Sequence, residues 1–272
     1  MKFILIPIIA VLVSFIVAIQ APQDFPIETI VTVEKNKSVG EIGNLLKQKG
    51  IIRSVPLFKL FARNIKSNSY FLDEKMGLFG VISRLKTGEG KVPYVRVTIP
   101  EGSNNEQIAG FIWGKLEHFD APQFLKKYNK DQGYLFPDTY LFPINFNEDK
   151  VASLLKGTFE RKVGKVSPDI IRMAAIVEEE GKSATDRKMI ADILWRRLSI
   201  GMLLQVDVAM ETYKTKGFPA LPITNPGLES IKAAQEPTKN EYLYYITGKN
   251  GIFYYAKTFD EHKVNISKYL QG

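Results

Sequence analysis

The sequence predicts an α+β protein with an amino-terminal transmembrane helix, a small α/β subdomain and a larger mixed α+β domain. Three observations support this: an uncharged apolar run at the amino terminus, strand-then-helix patterns after it, and a tyrosine-rich hairpin pattern near the carboxyl terminus. With 272 residues, 45% of them hydrophobic, the chain can bury a core in more than one domain. We expect an anchor at 1–20, a linker at 21–27, the subdomain at 28–95 and the larger domain at 96–272.

The composition narrows the chemistry available to the chain. A formal net charge of +8 suits anionic partners such as nucleic acid, phospholipid headgroups or an acidic cell-wall polymer, but the basic residues are scattered. The absence of cysteine excludes thiol catalysis, disulfides and cysteine-based zinc sites. His118 and His262 lie far apart and form no metal-spaced cluster, so we expect neither a metal nor a cofactor.

The apolar run at residues 3–19 indicates where the protein works. It carries no charge and reaches the short end of the roughly 17 to 25 residues that span a bilayer. No good small-x-small cleavage site follows it, which favours an uncleaved anchor over a signal peptide. Lys2 before the run, and Asp24 and Glu28 after it, place the amino terminus inside. We therefore expect a single-pass protein of the inner (plasma) membrane whose working domain is extracytoplasmic and binds no nucleic acid.

The amino-terminal half contains one pattern twice. Residues 30–33 predict a strand, and Ser38 with Glu41 forms a capping box that opens a helix. A strand at 95–99 and a capping box at 103–106 repeat this order. The repetition indicates an internal duplication, or two occurrences of a common strand-and-helix unit.

An aromatic and proline-rich loop follows, Gly133-Tyr-Leu-Phe-Pro-Asp-Thr-Tyr140. Aromatic faces stack on the apolar faces of pyranose rings, and short polar groups bind sugar hydroxyls. Tyr134, Asp138 and Tyr140 are therefore candidates for a sugar-binding wall. A rigid turn that covers the core explains the same composition.

Three consecutive carboxylates end a predicted helix that begins after Ser167 and stops at Gly181. Helical spacing places Glu180 on the apolar stripe and its two acidic neighbours on the polar flanks. Apolar surroundings and the helix carboxyl terminus both disfavour ionisation, so the pKa of Glu180 should be raised, as a general acid requires. Alternatively, Glu180 binds an arginine such as Arg187, Arg196 or Arg197.

The segment after the next helix carries two further candidates. Ser183 and Asp186 form a capping box for that helix, which ends before Gly201. Residues 203–208 predict a short strand that places Gln205 and Asp207 on one face, where both can contact a substrate. Two polar residues on a solvent-facing edge explain the pattern equally simply.

The remaining segments frame the predicted site. A loop rich in turn-forming residues, 217–227, leads into a helix containing Ile231. The runs 242–246 and 252–255 predict a hairpin with an Asn-Gly turn, followed by a closing helix.

Several of these segments together resemble the YceG-like family of endolytic murein transglycosylases. They occur in the family's order across most of residues 95–270. The matching pieces are Gly133-Tyr-Leu-Phe-Pro-Asp-Thr-Tyr140, Ala175-Ile-Val-Glu-Glu-Glu180, Arg197-Leu-Ser-Ile-Gly-Met202, Leu204-Gln-Val-Asp207, Pro222-Ile-Thr-Asn-Pro-Gly227, Lys232-Ala-Ala234 with Pro237, Tyr242-Leu-Tyr244, Phe259 and His262.

The resemblance implies a LysM-like subdomain at 28–95 and a catalytic domain that cleaves nascent peptidoglycan. The second acid of the family's Ile-Val-Glu-x-Glu motif maps onto Glu180, which implies that this residue is the catalytic acid. The implied partners are peptidoglycan glycan strands, the cytoplasmic membrane through the amino-terminal helix, and peptidoglycan synthases. The implied substrate-binding residues are Gln205, Asp207, Asn225, Tyr134, Asp138 and Tyr140.

The chain departs from the family pattern after Asp207, and the family's usual Gly-Leu-Pro-Pro-Gly-Pro-Ile stands here as Gly217-Phe-Pro-Ala-Leu-Pro-Ile223. Val208 replaces the usual proline, and the segment up to Gly217 is short and lacks the usual Asn-Thr-Tyr, for which Tyr213 is a candidate substitute. A lytic transglycosylase needs one carboxyl group, because the C6 hydroxyl of the substrate attacks the anomeric carbon and leaves a 1,6-anhydro end. Two alternatives stay open: a peptidoglycan-binding scaffold with weak activity, and a muramidase-type hydrolase with Asp207 as second carboxylate.

Overall fold

The structure is a computed structural model that describes residues 2–271, except for the side chains of residues 2–8. Short 3₁₀ helices occur at Asn129–Asp131 and Met210–Tyr213, and a π-helix at Ser267–Gln271. The strands are β1 (Thr29–Val33), β2 (Asn68–Leu72), β3 (Tyr94–Thr98), β4 (Thr139–Pro143), β5 (Tyr244–Thr247) and β6 (Phe253–Ala256). The helices are α1 (Lys2–Ile19), α2 (Val39–Gln48), α3 (Val55–Phe61), α4 (Leu78–Thr87), α5 (Asn105–Ile112), α6 (Ala121–Tyr128), α7 (Glu148–Lys162), α8 (Pro168–Glu180), α9 (Ala184–Ser199), α10 (Leu228–Gln235) and α11 (Phe259–Ile266).

The chain divides into two compact units, Met1–Tyr94 and Val95–Gly272. The sequence placed its boundary between residues 95 and 96, next to this division. In the first unit β1 and β2 pair antiparallel, with Thr29 opposite Leu72, and α2 and α3 connect them. The predicted capping box at the start of α2 is confirmed, because Ser38 and Glu41 bond to each other's backbone N–H groups. The LysM-like character of this β-α-α-β unit stays a prediction.

The predicted membrane anchor at 1–20 receives no support from the described residues. Within them, no helix is long and apolar enough to cross a membrane. Residues 1–8 of the predicted anchor lie outside the residues whose side chains are described. Attachment to a membrane therefore stays a prediction from the sequence.

The second unit contains two hydrophobic cores. One joins β3 and β4 to α5, α6 and α7 around Ile108, Phe124 and Phe142. The other joins α8, α9 and α10 around Met173 and Ile190. The capping box of α5 differs from the prediction, because Asn104 and Gln107 form it instead of residues 103 and 106. The second core fixes the three helices that surround the predicted acid.

The local signals that place Glu180 are confirmed. Ser167 accepts a hydrogen bond from Ile170 N at the start of α8, and the helix ends at Glu180 with Gly181 as its cap. Ser183 and Asp186 form the predicted capping box of α9. The tight connection between α8 and α9 leaves Glu180 on the last helical turn.

The predicted strand at 203–208 is wrong, because this segment is an irregular loop. Gln205 has a left-handed backbone with φ of 52°, which interrupts an extended strand. Backbone groups that would pair with a neighbouring strand bond locally instead: Gln205 N donates to Thr212 O, and Val206 N donates to the Thr212 hydroxyl. The alternation of burial survives, since Leu204 and Val206 are buried.

Candidate active site

A cleft of about 460 Å³ lies in the second unit at the end of α8. The end of α8, the 205–213 loop, the β5–β6 hairpin and the carboxyl-terminal helices form its walls. Its lining residues are Glu180, Arg197, Gln205, Val206, Asp207, Tyr213, Tyr244, Tyr245, Ile246, Thr247, Phe259, His262 and Leu270.

Glu180 is the half-buried carboxyl group of this cleft. Its Oε2 accepts a hydrogen bond from the Tyr245 hydroxyl at 3.1 Å. Burial raises the pKa of the Glu180 carboxyl; the Tyr245 hydrogen bond and the charge of Arg197 oppose this rise, and the negative charges of Asp207 and Glu179 add to it. A raised pKa of Glu180 agrees with the sequence prediction and suits a group that must carry a proton at neutral pH.

The two preceding carboxylates have other roles. Glu178 is buried, with 5% of its side chain exposed, and its Oε1 lies 2.7 Å from Arg187 Nη2. Its Oε2 accepts the Gly227 N–H at 2.8 Å, at the start of α10. Glu178, placed on a polar flank by helical spacing, is thus the acid that binds an arginine, while Glu179 is exposed.

Gln205 and Asp207 both face the cleft, as predicted, although from a loop instead of a strand. The Tyr213 hydroxyl donates to Asp207 Oδ1, and this hydrogen bond raises the pKa of Tyr213 to about 12. Thr212 is buried and bonds to the loop backbone at Val206 and Ala209. The short segment therefore brings a tyrosine to the cleft.

Arg197 holds the loop against the hairpin. Its Nε donates to Leu243 O at 2.7 Å and its Nη1 donates to Leu204 O. Its guanidinium carbon lies 5.4 Å from the centre of the Tyr244 ring. One buried arginine thus connects α9 to both walls of the cleft and contributes a positive charge near Glu180.

Among the described residues, no group of three or more histidine, cysteine, aspartate or glutamate side chains is placed to hold a metal ion.

The model of the YceG-like family matches residues 31–211 and 210–268 of this chain. The chain belongs to the YceG-like family. Its relatives include the endolytic murein transglycosylase of Bacillus subtilis (strain 168), which is 27% identical, with the alignment covering 89% of this chain and 85% of the relative. The endolytic murein transglycosylase of Streptococcus pneumoniae (strain R6) is 26% identical, and this chain spans 58% of its length.

A solved structure shares the fold of this YceG-like chain. The crystal structure of a YceG-like protein from Listeria monocytogenes matches with a TM-score of 0.52 and 24% sequence identity. The match covers 87% of this chain and 98% of the other.

The aromatic loop of this YceG-like chain lies outside the cleft that contains Glu180. Tyr140 is buried and its hydroxyl donates to Phe136 O at 2.6 Å, and Tyr134 packs edge-on against Phe159. Asp138 forms an ion pair with Lys162 at 2.7 Å. The structure thus places these three predicted wall residues in and around a turn that covers the core, the alternative that the composition left open.

Asn225 is also outside the cleft and is fully buried. Its Oδ1 accepts the N–H groups of Gly133 and Leu135, at 2.7 and 3.0 Å. Its Nδ2 donates to Ser103 O and Asn105 Oδ1, at 2.9 and 3.0 Å. Both ends of the amide are bonded to the protein, so Asn225 fastens the aromatic loop, and a substrate contact by Asn225 stays a prediction from the sequence.

Four aromatic residues line the cleft without having been predicted as site residues: Tyr244, Tyr245, Phe259 and His262. His262 stacks on Tyr244 with 5.1 Å between ring centres. Burial lowers the pKa of His262, and Arg197 lowers it further, which favours a neutral imidazole at pH 7. The tyrosine-rich hairpin was the sequence signal for these aromatic residues. The alternation of side chains along one strand does not show which ring contacts Glu180.

Proposed function

We propose that this chain is a lytic transglycosylase that cleaves within nascent peptidoglycan strands, with Glu180 as its single general acid and base. The observation that carries the proposal is Glu180 itself: a half-buried carboxyl in a polar and aromatic cleft, whose burial raises its pKa. The name shared by its relatives, endolytic murein transglycosylase, supports the substrate class. Aromatic side chains with a few polar groups are typical of a carbohydrate cleft.

The first step needs the protonated form of Glu180. The carboxyl gives its proton to the oxygen that joins N-acetylmuramic acid to N-acetylglucosamine, and the bond from this oxygen to the anomeric carbon breaks. The leaving N-acetylglucosamine keeps the proton as its 4-hydroxyl. The positive charge that develops at the muramic ring is close to the new Glu180 carboxylate, which stabilises it.

The second step uses the same residue as a base. The Glu180 carboxylate takes the proton of the C6 hydroxyl, and the C6 oxygen forms a bond to the anomeric carbon. The product ends in 1,6-anhydro-N-acetylmuramic acid, and Glu180 is again protonated. No water enters the products, so a second carboxylate is not needed to activate water.

One observation favours a second candidate function, a muramidase-type hydrolase. Asp207 lines the same cleft and its charge acts on Glu180, so the muramidase-type alternative has both of its carboxyl groups in one place. The two mechanisms differ in their products, because a hydrolase leaves reducing ends and a transglycosylase leaves anhydro ends.

Two substitutions on α8 test the assignment of Glu180. Glu180→Gln removes the proton donor and keeps the shape of the side chain, and we expect purified peptidoglycan to be cleaved at least about 100 times more slowly. Glu179→Gln is the matched control, since Glu179 is exposed and does not line the cleft; it should keep forming anhydro ends and lose only the effect of its charge on the pKa of Glu180. A Glu180→Gln protein with a near wild-type rate would contradict the proposal. Binding without turnover by the wild type would favour the scaffold alternative.

We further propose that the first unit contacts glycan as a LysM-like module. A groove of about 450 Å³ lies along the end of β1 and the face of α2, lined by Thr32, Lys37, Asn44 and Gln48 among others. Its mixture of two amides, a hydroxyl, a cation and the carboxylates of Glu34 and Glu41 can bind sugar hydroxyls and acetamido groups. Asn44→Ala should weaken binding to purified glycan strands in a sedimentation assay, whereas unchanged binding would argue against this module.

We also propose attachment to the cytoplasmic membrane with the cleft on the extracytoplasmic side. The uncharged run at 3–19, with Lys2 before it and Asp24 after it, supports this orientation. Protease added outside spheroplasts should degrade the second unit. Protection of the second unit in intact spheroplasts would contradict the orientation.

A further inference from the structure

Tyr245 is the side chain that binds the candidate acid. It lies on β5 directly opposite Tyr255 on β6, and its ring packs beside Phe253 with 6.3 Å between ring centres. Its hydroxyl donates to Glu180 Oε2 at 3.1 Å. In the described part of the chain, Glu180 Oε1 has no hydrogen-bond partner, while Glu180 lines the cleft. The two oxygens of the carboxyl group therefore have different surroundings.

This difference determines where an acidic proton lies. A protonated carboxyl group has one oxygen that carries the O–H and one carbonyl oxygen that accepts hydrogen bonds. Burial raises the pKa of Tyr245 well above its usual value, and Glu180 raises it further, so the phenol keeps its proton and remains a donor. An oxygen that already accepts a hydrogen bond is the poorer site for a second proton. Oε2 is thus the carbonyl oxygen, and the proton belongs on Oε1.

We propose that Tyr245 is a positioning residue that directs the acidic proton of Glu180 to Oε1, the oxygen free to meet the glycosidic oxygen. This inference rests on the proposed function. After the proton has moved to the leaving oxygen, the Tyr245 hydroxyl continues to bind Oε2 and holds the carboxylate in place. Oε1 is then the oxygen that takes the proton of the C6 hydroxyl, so both proton transfers use the same atom on the same side of the carboxyl group.

The geometry also fixes the orientation of the carboxyl plane. Without the Tyr245 hydroxyl, the carboxyl group rotates more freely and the proton occupies either oxygen. A misplaced catalytic group costs up to about 100-fold in rate. The hydroxyl further favours the ionised form of Glu180, since it is a donor to a carboxylate. Its removal should therefore change both the rate and the pH at which the rate falls.

Tyr245→Phe tests the inference, with Tyr255→Phe as the matched control. Tyr255 is the cross-strand neighbour and does not line the cleft, so its variant loses one hydroxyl from the same hairpin. We expect Tyr245→Phe to lower kcat on purified, uncrosslinked glycan strands by about 10 to 100-fold, with KM within about twofold. The alkaline limb of its kcat profile should move to higher pH, because the carboxylate has lost a donor. Tyr255→Phe should match the wild type in kcat and in this limb.

Replacement of Tyr245 by 3,5-difluorotyrosine covers the case in which Tyr245→Phe folds poorly. The fluorinated phenol keeps the ring and is a stronger donor, so the alkaline limb should move to lower pH. If Tyr245→Phe has the same kcat and the same alkaline limb as Tyr255→Phe, Tyr245 does not position the acid. An alkaline limb that stays at the wild-type pH after fluorination would contradict the role of Tyr245 as well. If Glu180→Gln is inactive in that case, only the role of Tyr245 is contradicted and the proposed function stands. If Glu180→Gln is active, the proposed function and the role of Tyr245 are both contradicted.

Discussion

Glu178 and Arg187 form a mostly buried ion pair, with 2.7 Å between Oε1 and Nη2. The same arginine donates from Nε to Gly181 O at 3.2 Å, so its side chain contacts the chain both before Glu180, at Glu178, and after it, at the cap of α8. Glu178 also accepts the Gly227 N–H at the start of α10. The last turn of α8 is thereby fastened to α9 and α10, and this holds the backbone of Glu180 in place.

Glu178→Gln should destabilise the protein by about 3 kcal/mol, since it leaves a largely buried guanidinium without its partner. Chemical denaturation followed by circular dichroism measures this change. Glu229→Gln is the control, because it breaks an exposed pair with Lys232 at 3.8 Å, which should cost less than about 1 kcal/mol. An equal loss of stability in the two variants would show that the buried ion pair stabilises the protein no more than the exposed one.

Asn225→Ala should cost about 3 kcal/mol of stability and leave the activity of the folded fraction unchanged. The loss is structural, because the buried N–H groups of Gly133 and Leu135 lose their acceptor. Asp138→Asn, in a more exposed ion pair, should cost less than about 1 kcal/mol. A raised KM for glycan strands with unchanged stability in Asn225→Ala would contradict this structural role and support the predicted substrate contact.

The stability of the protein should depend on pH through Glu180. Because burial raises its pKa in the folded state, its contribution is fully present below the unfolded pKa and is lost as pH rises through the folded pKa. Glu180→Gln should therefore match the wild type in melting temperature at pH 4 and have the higher melting temperature at pH 8.

The stability contributed by Glu41 should depend on pH in the opposite direction, since hydrogen bonds from Ser38 lower its pKa to about 2. Glu41→Gln should destabilise at pH 7, with a difference that shrinks toward pH 2; a difference independent of pH would contradict both assignments.

Asp207→Asn should lower kcat/KM by about 10-fold and still give anhydro ends. The substitution removes a charge that acts on Glu180 and weakens the hydrogen bond from Tyr213, but the substrate's own hydroxyl remains the nucleophile. Tyr213→Phe removes the same hydrogen bond and leaves the Asp207 charge, so it separates the two effects. Complete loss of activity in Asp207→Asn together with reducing ends in the wild type would support the hydrolase instead.

Local sequence signals predicted the helices around Glu180 well. Ser167, Ser183 and Gly181 act through neighbours in sequence, so their capping roles follow from spacing alone. The apolar stripe of α8 likewise predicted a half-buried Glu180. The burial of Glu178 was not predictable in this way, because its partners Arg187 and Gly227 come from α9 and α10.

The contents of the cleft depend on contacts that are distant in sequence. Tyr245 reaches Glu180 from 65 residues away, and Asn225 fastens Gly133 from 92 residues away. The composition of the aromatic loop allows two interpretations, and its packing, with Tyr140 buried and Tyr134 against Phe159, favours the turn that covers the core. The 203–208 segment kept its alternation without forming a strand, because Arg197 and Thr212 supply the partners that a neighbouring strand would supply.

The ends of the glycan products distinguish a transglycosylase that uses Glu180 from a hydrolase. Purified, uncrosslinked glycan strands, digested by the wild-type protein alone, would be analysed by mass spectrometry for anhydro and reducing N-acetylmuramic acid ends formed over time. We expect new anhydro ends from the wild type and from Glu179→Gln, and none above background from Glu180→Gln. New reducing ends from the wild type, or anhydro ends formed at the wild-type rate by Glu180→Gln, would contradict it.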